Sequence, residues 1–185
     1  MSAEADAPSA SVYAPNTKDE RPEERTLAAI VDNEPGVLAR VVGLFSARGY
    51  NIESLTVAET DREKHRSRIT IVTSGTPSTL EQIKAQLQRL LPVRTVSDVT
   101  LEKDGIEREL ALVKVAGTGE KRVEALRMSD VFRARVIDTG PASFVFEVTG
   151  QRDKINAFIE LMIPLGLIEV SRTGVLSIKR GAEAM

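Results

Sequence analysis

The spacing of apolar side chains changes character early in the chain. Residues 27–31 form a short apolar run of strand length, and the polar segment 32–36 closes it. After that segment, apolar positions recur at i, i+3, i+4 and i+7, which predicts one face of a helix that ends at Gly49. That face consists of Leu38, Val41, Val42 and Phe45.

A hairpin is predicted to follow this helix. Residues 50–58 alternate weakly, with Ile52 out of phase, so we expect a bend or bulge near Ser54. The charged residues 59–68 then predict a connection, and the β-branched run 69–73 predicts the second strand of the hairpin.

The signals for a second helix are local and specific. Thr76 is a typical cap, Pro77 suits the first helical position, and Pro92 ends the apolar stripe that follows. A strand over 93–101 completes the order β-α-β-β-α-β. This order is typical of a ferredoxin-like sandwich with two helices on one face of a sheet.

The same order recurs, less clearly, in the rest of the chain. Its elements are a strand over 110–115, a helix around Val123 and Leu126, a strand over 144–148 after the turn at 140–141, a helix over 155–162 that residues 164–166 break, and a strand at 168–170. The sequence therefore predicts an α+β protein of two ferredoxin-like βαββαβ sandwiches, over 25–102 and 106–181. Residues 1–24 lack apolar periodicity and predict a disordered tail.

Composition narrows the function. With 28% charged residues and a net charge of -2, no dominant field would attract nucleic acid or an anionic membrane. There is no cysteine, and the one histidine, His65, lies in a charged run typical of a solvated loop. No apolar stretch approaches the roughly 18 to 20 residues that cross a bilayer. We expect a soluble, cytoplasmic protein without a catalytic or metal constellation.

The most informative segment is the loop that precedes the first helix. A helix begins with unpaired N–H groups and a partial positive charge, so it binds carboxylates readily. Gly36 allows close approach, Pro35 fixes the entry angle, and Asn33 offers an amide. A plain strand-to-helix turn has the same residues, however, and Asn51 is by itself an ordinary residue for a strand start. Both interpretations stand on these residues alone.

Longer stretches of sequence carry a family resemblance. Residues 32–41 and 43–46, then the run R-G-Y-N-I-E-S-L-T-V-A at 48–58, closely resemble the start of acetolactate synthase small subunits. A D-x-x-P-G-x-L turn marks ACT domains in general, whereas the 48–58 strand is particular to this family. The resemblance continues through 107–114 and 171–174, and so covers nearly everything after the tail.

The resemblance implies a regulatory protein without catalytic activity. It implies that residues 25–102 are an ACT domain that dimerises and binds an effector, and that the dimer activates a separate catalytic large subunit in branched-chain amino acid biosynthesis. It implies feedback inhibition by valine. Thiamine diphosphate, magnesium and FAD would belong to the catalytic subunit, with no cofactor on this chain.

The resemblance also implies where valine binds. The site lies between two chains, with Asn33, Gly36 and Leu38 from one chain and Asn51 and Ile52 from the other. One methylene in an apolar pocket is worth about 1 to 3 kcal/mol, so discrimination against leucine and isoleucine should be modest. The full candidate set is Asn33, Pro35, Gly36, Val37, Leu38, Asn51 and Ile52.

Two other classes of function compete with this interpretation. A stand-alone ACT regulator of another enzyme or of transcription would bind an amino acid in the same way, but the 48–58 strand argues against it, and a DNA-binding form needs a basic recognition element. A free-standing enzyme of unknown type would need nucleophile or metal groups that the sequence does not offer.

Overall fold

The computed structural model describes residues 21–101 and 105–182. Most of the tail predicted over residues 1–24 therefore lies outside the described residues. Its last two residues do not fit the prediction, because the first strand already begins at Glu23.

The first half of the chain forms one antiparallel sheet with two helices. Its elements are β1 (Glu23–Asp32), α1 (Val37–Arg48), β2 (Ser54–Asp61), β3 (Arg66–Gly75), α2 (Pro77–Gln88) and β4 (Val93–Asp98). The strand order is β2-β3-β1-β4, so β2 and β4 are the edges. The predicted βαββαβ order is confirmed, and with it the ferredoxin-like fold of this half.

Local sequence signals set the helix ends. Gly36 and Gly49 flank α1 with φ of 85° and 69°, which a side chain would disfavour. Thr76 caps α2 by accepting a hydrogen bond from the N–H of Thr79 at 3.3 Å, and Pro77 occupies the first turn, as predicted. The helices bury Val37, Val41, Phe45, Leu80, Ile83 and Leu87 against β1 and β3.

The chain bends at Glu53, directly before β2 begins at Ser54, so the bend predicted near Ser54 is confirmed. A register shift, which the sequence did not predict, lies between Glu59 and Asp61. The predicted connection over 59–68 is too long, since the strands continue to Asp61 and resume at Arg66. His65 closes the turn with φ of 48° and is exposed.

The second half repeats the arrangement with one added strand. Its elements are β5 (Gly105–Ala116), α3 (Gly119–Phe132), β6 (Arg135–Thr139), β7 (Ser143–Gly150), α4 (Arg152–Gly166), β8 (Leu167–Arg172) and β9 (Leu176–Lys179). The order is β6-β7-β5-β8, and β9 pairs with the start of β5. In the core of this half, the ring of Phe158 contacts those of Phe132 and Phe146.

The last helix ends within the predicted segment 164–166, at Gly166, although Pro164 itself lies inside α4. The carbonyl that loses its partner belongs to Glu160, an exposed residue, so water can replace the missing bond. The chain turns at Gly166, where a Cβ would lie 2.0 Å from the carbonyl oxygen of Ala116, so only glycine fits there.

The two halves meet at the helix-free face of the first sheet. Leu55 packs in the core on the helix side of edge strand β2, so Ser54 and Thr56 point to the opposite face. Both side chains bond to the backbone of Val175, between β8 and β9. Arg152 of α4 pairs with Glu24 of β1 close by.

Candidate functional site

The loop between β1 and α1 is open to solvent and held by a few hydrogen bonds. The N–H of Asn33 donates to the carbonyl of His65 at 2.7 Å, and the Asn33 side-chain amide donates to Glu59 at 3.3 Å. Glu34 pairs with Arg40 of α1 at 3.0 Å. Residues 33–36 are all exposed, so a ligand can reach this loop without moving the core.

Two N–H groups at the start of α1 have no acceptor among residues 21–101 and 105–182. Val37 donates to the carbonyl of Glu34 at 3.3 Å, and Arg40 donates to that of Gly36 at 3.0 Å. The N–H groups of Leu38 and Ala39 have no partner in the part of the chain that the structure describes, and no side chain caps the helix. A Cβ at Gly36 would meet nothing within 4 Å. The helix thus offers paired donors, at its positive end, to a carboxylate.

The charge beside this loop is already compensated. The carboxylate of Asp32 accepts two hydrogen bonds from Arg94, at 2.9 and 2.5 Å. This hydrogen bonding, more than the nearby charges of Arg94 and Arg66, holds the pKa of Asp32 below its usual range. Asp32 is therefore ionised at neutral pH and matched by a cation, which reduces its repulsion of an arriving anion.

The second predicted group lies at the other end of α1. The side-chain amide of Asn51 donates to Glu53 at 2.6 Å, and the hydroxyl of Ser74 donates to the same oxygen at 3.0 Å. The Asn51 carbonyl accepts from the hydroxyl of Thr73 at 2.6 Å. Ile52 is half-buried against the core. The bond from Asn51, with that from Ser74, keeps the pKa of Glu53 low.

Within one chain these two groups do not meet. The helix between them has 12 residues, a length of about 18 Å at about 1.5 Å per residue. Asn33 is bonded near the start of β3 and Asn51 near its end, so they also lie at opposite ends of the sheet. One ligand can contact both groups only if they come from two chains.

The predicted residues differ in what they can offer a ligand. Leu38 is 38% exposed and presents both a free N–H and an apolar side chain. Val37 is buried and its N–H is already bonded, so it fixes the helix without facing the loop. Pro35 is exposed and has no N–H to donate.

Two further residues, which the sequence did not assign to the site, border this loop. Glu59 and His65 lie on β2 and the β2–β3 turn and bond to Asn33. The pairing of Asp32 with Arg66, which brings the turn beside the loop, is the signal that could have found them. It requires knowing the strand register.

Other kinds of site find no support in the folded part. Over residues 21–101 and 105–182, no three His, Asp or Glu side chains converge in a way that could hold a metal ion. No helix in the part that the structure describes has both the length and the apolar content needed to cross a membrane.

Comparison with known proteins decides the family. Residues 27–95 match the family model of the AHAS small subunit-like ACT domain, and residues 108–181 match that of the small subunit of acetolactate synthase. The chain belongs to the acetolactate synthase small-subunit family. The predicted resemblance is thereby confirmed, and the ACT domain supports a regulatory role in branched-chain amino acid biosynthesis.

Individual small subunits match over nearly their whole length. A probable acetolactate synthase small subunit of Archaeoglobus fulgidus is 47% identical over 158 residues, which cover 85% of this chain and 98% of that protein. The small subunit of Haemophilus influenzae is 44% identical, with 85% and 96% covered. The crystal structure of the small subunit from Thermotoga maritima superposes with a TM-score of 0.77 at 35% identity, covering 87% and 99%.

Proposed function

We propose that this small subunit activates the catalytic subunit of acetolactate synthase and makes the complex sensitive to valine. The observation that carries the proposal is the pair of unpaired N–H groups, on Leu38 and Ala39, behind an open glycine. The chemistry, with thiamine diphosphate, magnesium and FAD, is assigned to the catalytic subunit. This chain supplies regulation.

An aliphatic amino acid suits the two groups of residues together. Its carboxylate accepts hydrogen bonds from the N–H groups of Leu38 and Ala39, where the helix end favours negative charge. The side chains of Leu38 and Ile52 are apolar and partly accessible, so they can cover a branched hydrocarbon. Glu53 is the next residue after Ile52, and its carboxylate offers a partner of the right sign for the ammonium group.

A two-fold dimer is the arrangement that would complete the site. Because the two groups lie at opposite ends of α1, two antiparallel copies of this helix would bring the start of one beside residues 51 and 52 of the other. Strand β2 is an edge of its sheet. Two of its apolar side chains face the helix side: Leu55 packs against the core, whereas Val57 is 41% exposed. Pairing with a second β2 would cover both the apolar side chain and the unpaired edge.

Regulation requires that valine favour one arrangement of the complex over another. A ligand with equal affinity for both arrangements shifts nothing, whatever its affinity. A site shared between chains supplies the difference, because its two halves fit the ligand in only one relative position. We propose that the bound position weakens the activating contact with the catalytic subunit.

The test is synthase activity of the reconstituted complex as a function of valine concentration. Activity above that of the catalytic subunit alone, falling as L-valine rises, is the expected result. D-valine is the matched control, since it has the same charge and size but the opposite chirality. An activity that stays flat with L-valine, or a complex no more active than the catalytic subunit, would contradict the proposal.

A further inference from the structure

One short segment links the second half of the candidate site to the second domain. Asn51 begins it, and its amide is bonded to Glu53. Ser54 and Thr56 follow directly on β2 and bond to Val175, more than a hundred residues away in sequence. A ligand contact and a domain contact thus lie within six consecutive residues.

The contact with Val175 has two points of attachment. The Ser54 hydroxyl accepts from the N–H of Val175 at 3.1 Å, and the Thr56 hydroxyl donates to its carbonyl at 3.1 Å. The Val175 side chain is buried. Since Ser54 and Thr56 are two residues apart on one strand, they point the same way and hold both polar groups of one residue. We refer to Ser54, Thr56 and Val175 as the clamp.

Val175 of the clamp lies in a break in the second sheet. The pairing of β5 with β8 ends at Arg172, and its pairing with β9 resumes at Leu176, so the three residues between them face only two of β5. The irregular segment leaves Val175 free to bond outside its own sheet. The hydrogen bonds of this backbone are therefore completed by the ACT domain.

Gly174 makes this contact close. Its φ is 82°, and a Cβ there would lie 2.5 Å from the Ser54 hydroxyl and 3.0 Å from that of Thr56. A side chain at this residue would displace the two hydroxyls from their bonds to Val175 or move the domains apart. The contact thus depends on a particular distance between β2 and the second domain.

A charged contact runs beside the clamp. Arg152, the first residue of α4, lines the same cleft as Glu53, and its positive charge lowers the pKa of Glu53 less than the bonds from Asn51 and Ser74 do. Arg152 itself pairs with Glu24 of β1. A cleft of about 280 Å³, lined by Glu53, Ser54, Arg152 and Arg172 among others, separates the domains here and leaves room for a small displacement.

We propose that residues 51–56 transmit occupancy of the effector site to the second domain through the clamp. The inference rests on the proposed function. A ligand that engages Asn51 competes with its bond to Glu53, which changes how that carboxylate faces Arg152. The same strand carries the change to Ser54 and Thr56, three and five residues on. Valine therefore changes the position of the second domain as well as that of the paired ACT domains.

Removing the clamp hydroxyls tests this directly. The variants are Thr56→Val and Ser54→Ala. Calorimetry on each free small subunit should show the same affinity for valine as the parent. Each variant should also still activate the catalytic subunit when valine is absent. The valine concentration for half inhibition should rise about fivefold or more, the lower range of measured allosteric couplings. Thr95→Val, an exposed threonine on the far edge strand, is the matched control and should behave like the parent.

A second pair of variants separates the contact from backbone strain. Gly174→Ala should abolish most of the response to valine. Gly181→Ala should not, because Gly181 has a similar φ of 90° but nothing within 4 Å of its Cβ position. Circular dichroism checks that both variants fold.

The outcomes distinguish failure of the proposed function from failure of transmission through the clamp. If the parent binds no valine, the proposed function fails. If the parent responds to valine, and the clamp variants bind valine and are inhibited at the same concentration as the parent, the transmission through the clamp is refuted while the proposed function stands.

Discussion

Replacing Gly36 with aspartate should relieve inhibition by valine, mainly through charge. A carboxylate at residue 36 would stand at the open helix start, close to the N–H groups that we assign to the ligand carboxylate. Like charges about 4 Å apart repel by about 1 kcal/mol in bulk water and about 4 kcal/mol near a protein surface. The loop is exposed, so a loss of about 1 to 2 kcal/mol, roughly a 5- to 30-fold weaker affinity, is the expected size.

Two control variants separate this effect from backbone strain and from bulk. Gly36→Asn has the shape of aspartate without its charge. Gly36→Ala adds only a Cβ, which meets nothing within 4 Å but must adopt a φ of 85°. That conformation costs alanine about 1 to 2 kcal/mol, and each kcal/mol lowers the Tm of a small domain by about 4 to 8 °C. Alanine should thus lower the Tm while valine still inhibits.

The assay is valine inhibition of the reconstituted complex, with calorimetric binding of valine to the free small subunit. The order of valine sensitivity should be parent, then alanine, then asparagine, with aspartate clearly last. The gap between asparagine and aspartate should narrow at high salt, because exposed charges are screened. If aspartate is as sensitive as asparagine, the ligand carboxylate does not lie at this helix start.

Three further variants test the dimer, the second domain and the charge beside the loop. Val57→Lys places a charge on the exposed edge of β2 and should prevent dimerisation. Size-exclusion chromatography with light scattering should then show monomers, and valine should no longer inhibit. A dimer that remains sensitive to valine would contradict the shared site. Arg172→Met leaves the buried carboxylate of Glu109 without its two-point partner at 2.6 and 2.7 Å, and should cost about 2 to 4 kcal/mol in denaturant unfolding, much of it recovered in the double variant with Glu109→Leu. Asp32→Asn should lower the Tm at neutral pH, and the difference in Tm from the parent should close as pH falls. The pKa of Asp32 is lower in the folded chain than the unfolded value of about 3.9. The stabilisation by ionised Asp32 is therefore fully present above about pH 3.9 and is lost as the pH falls through the folded pKa. A gap that is the same at every pH would show that the bond to Arg94 adds nothing.

The elements that the sequence predicts best are those with local signals. The cap at Thr76, the proline after it and the glycine that ends α1 each act within one helical turn, so they can be recognised without knowing the fold. The apolar stripe of α3 misleads for the opposite reason. Val123 is 59% exposed, while the small residues Ala125 and Ser129 are buried. Which side of a helix is covered depends on its neighbours.

The candidate site is predictable in its parts but not in its assembly. The open helix start follows from residues 32–38, since a glycine before a helix leaves N–H groups accessible. That Asn33 and Asn51 lie at opposite ends of α1 also follows from the predicted order of elements. The bonds from Ser54 and Thr56 to Val175 do not, because they join residues about 120 apart and depend on how the two sheets pack.

The shared site can be tested by mixing defective chains. One chain carries Gly36→Asp and the other Asn51→Ala, with different tags so that the mixed dimer can be purified. If each site takes its two halves from two chains, the mixed dimer has one site with both defects and one with neither. It should bind one valine with the affinity of the parent, whereas each homodimer binds weakly. A mixed dimer that binds no better than the homodimers would contradict the account.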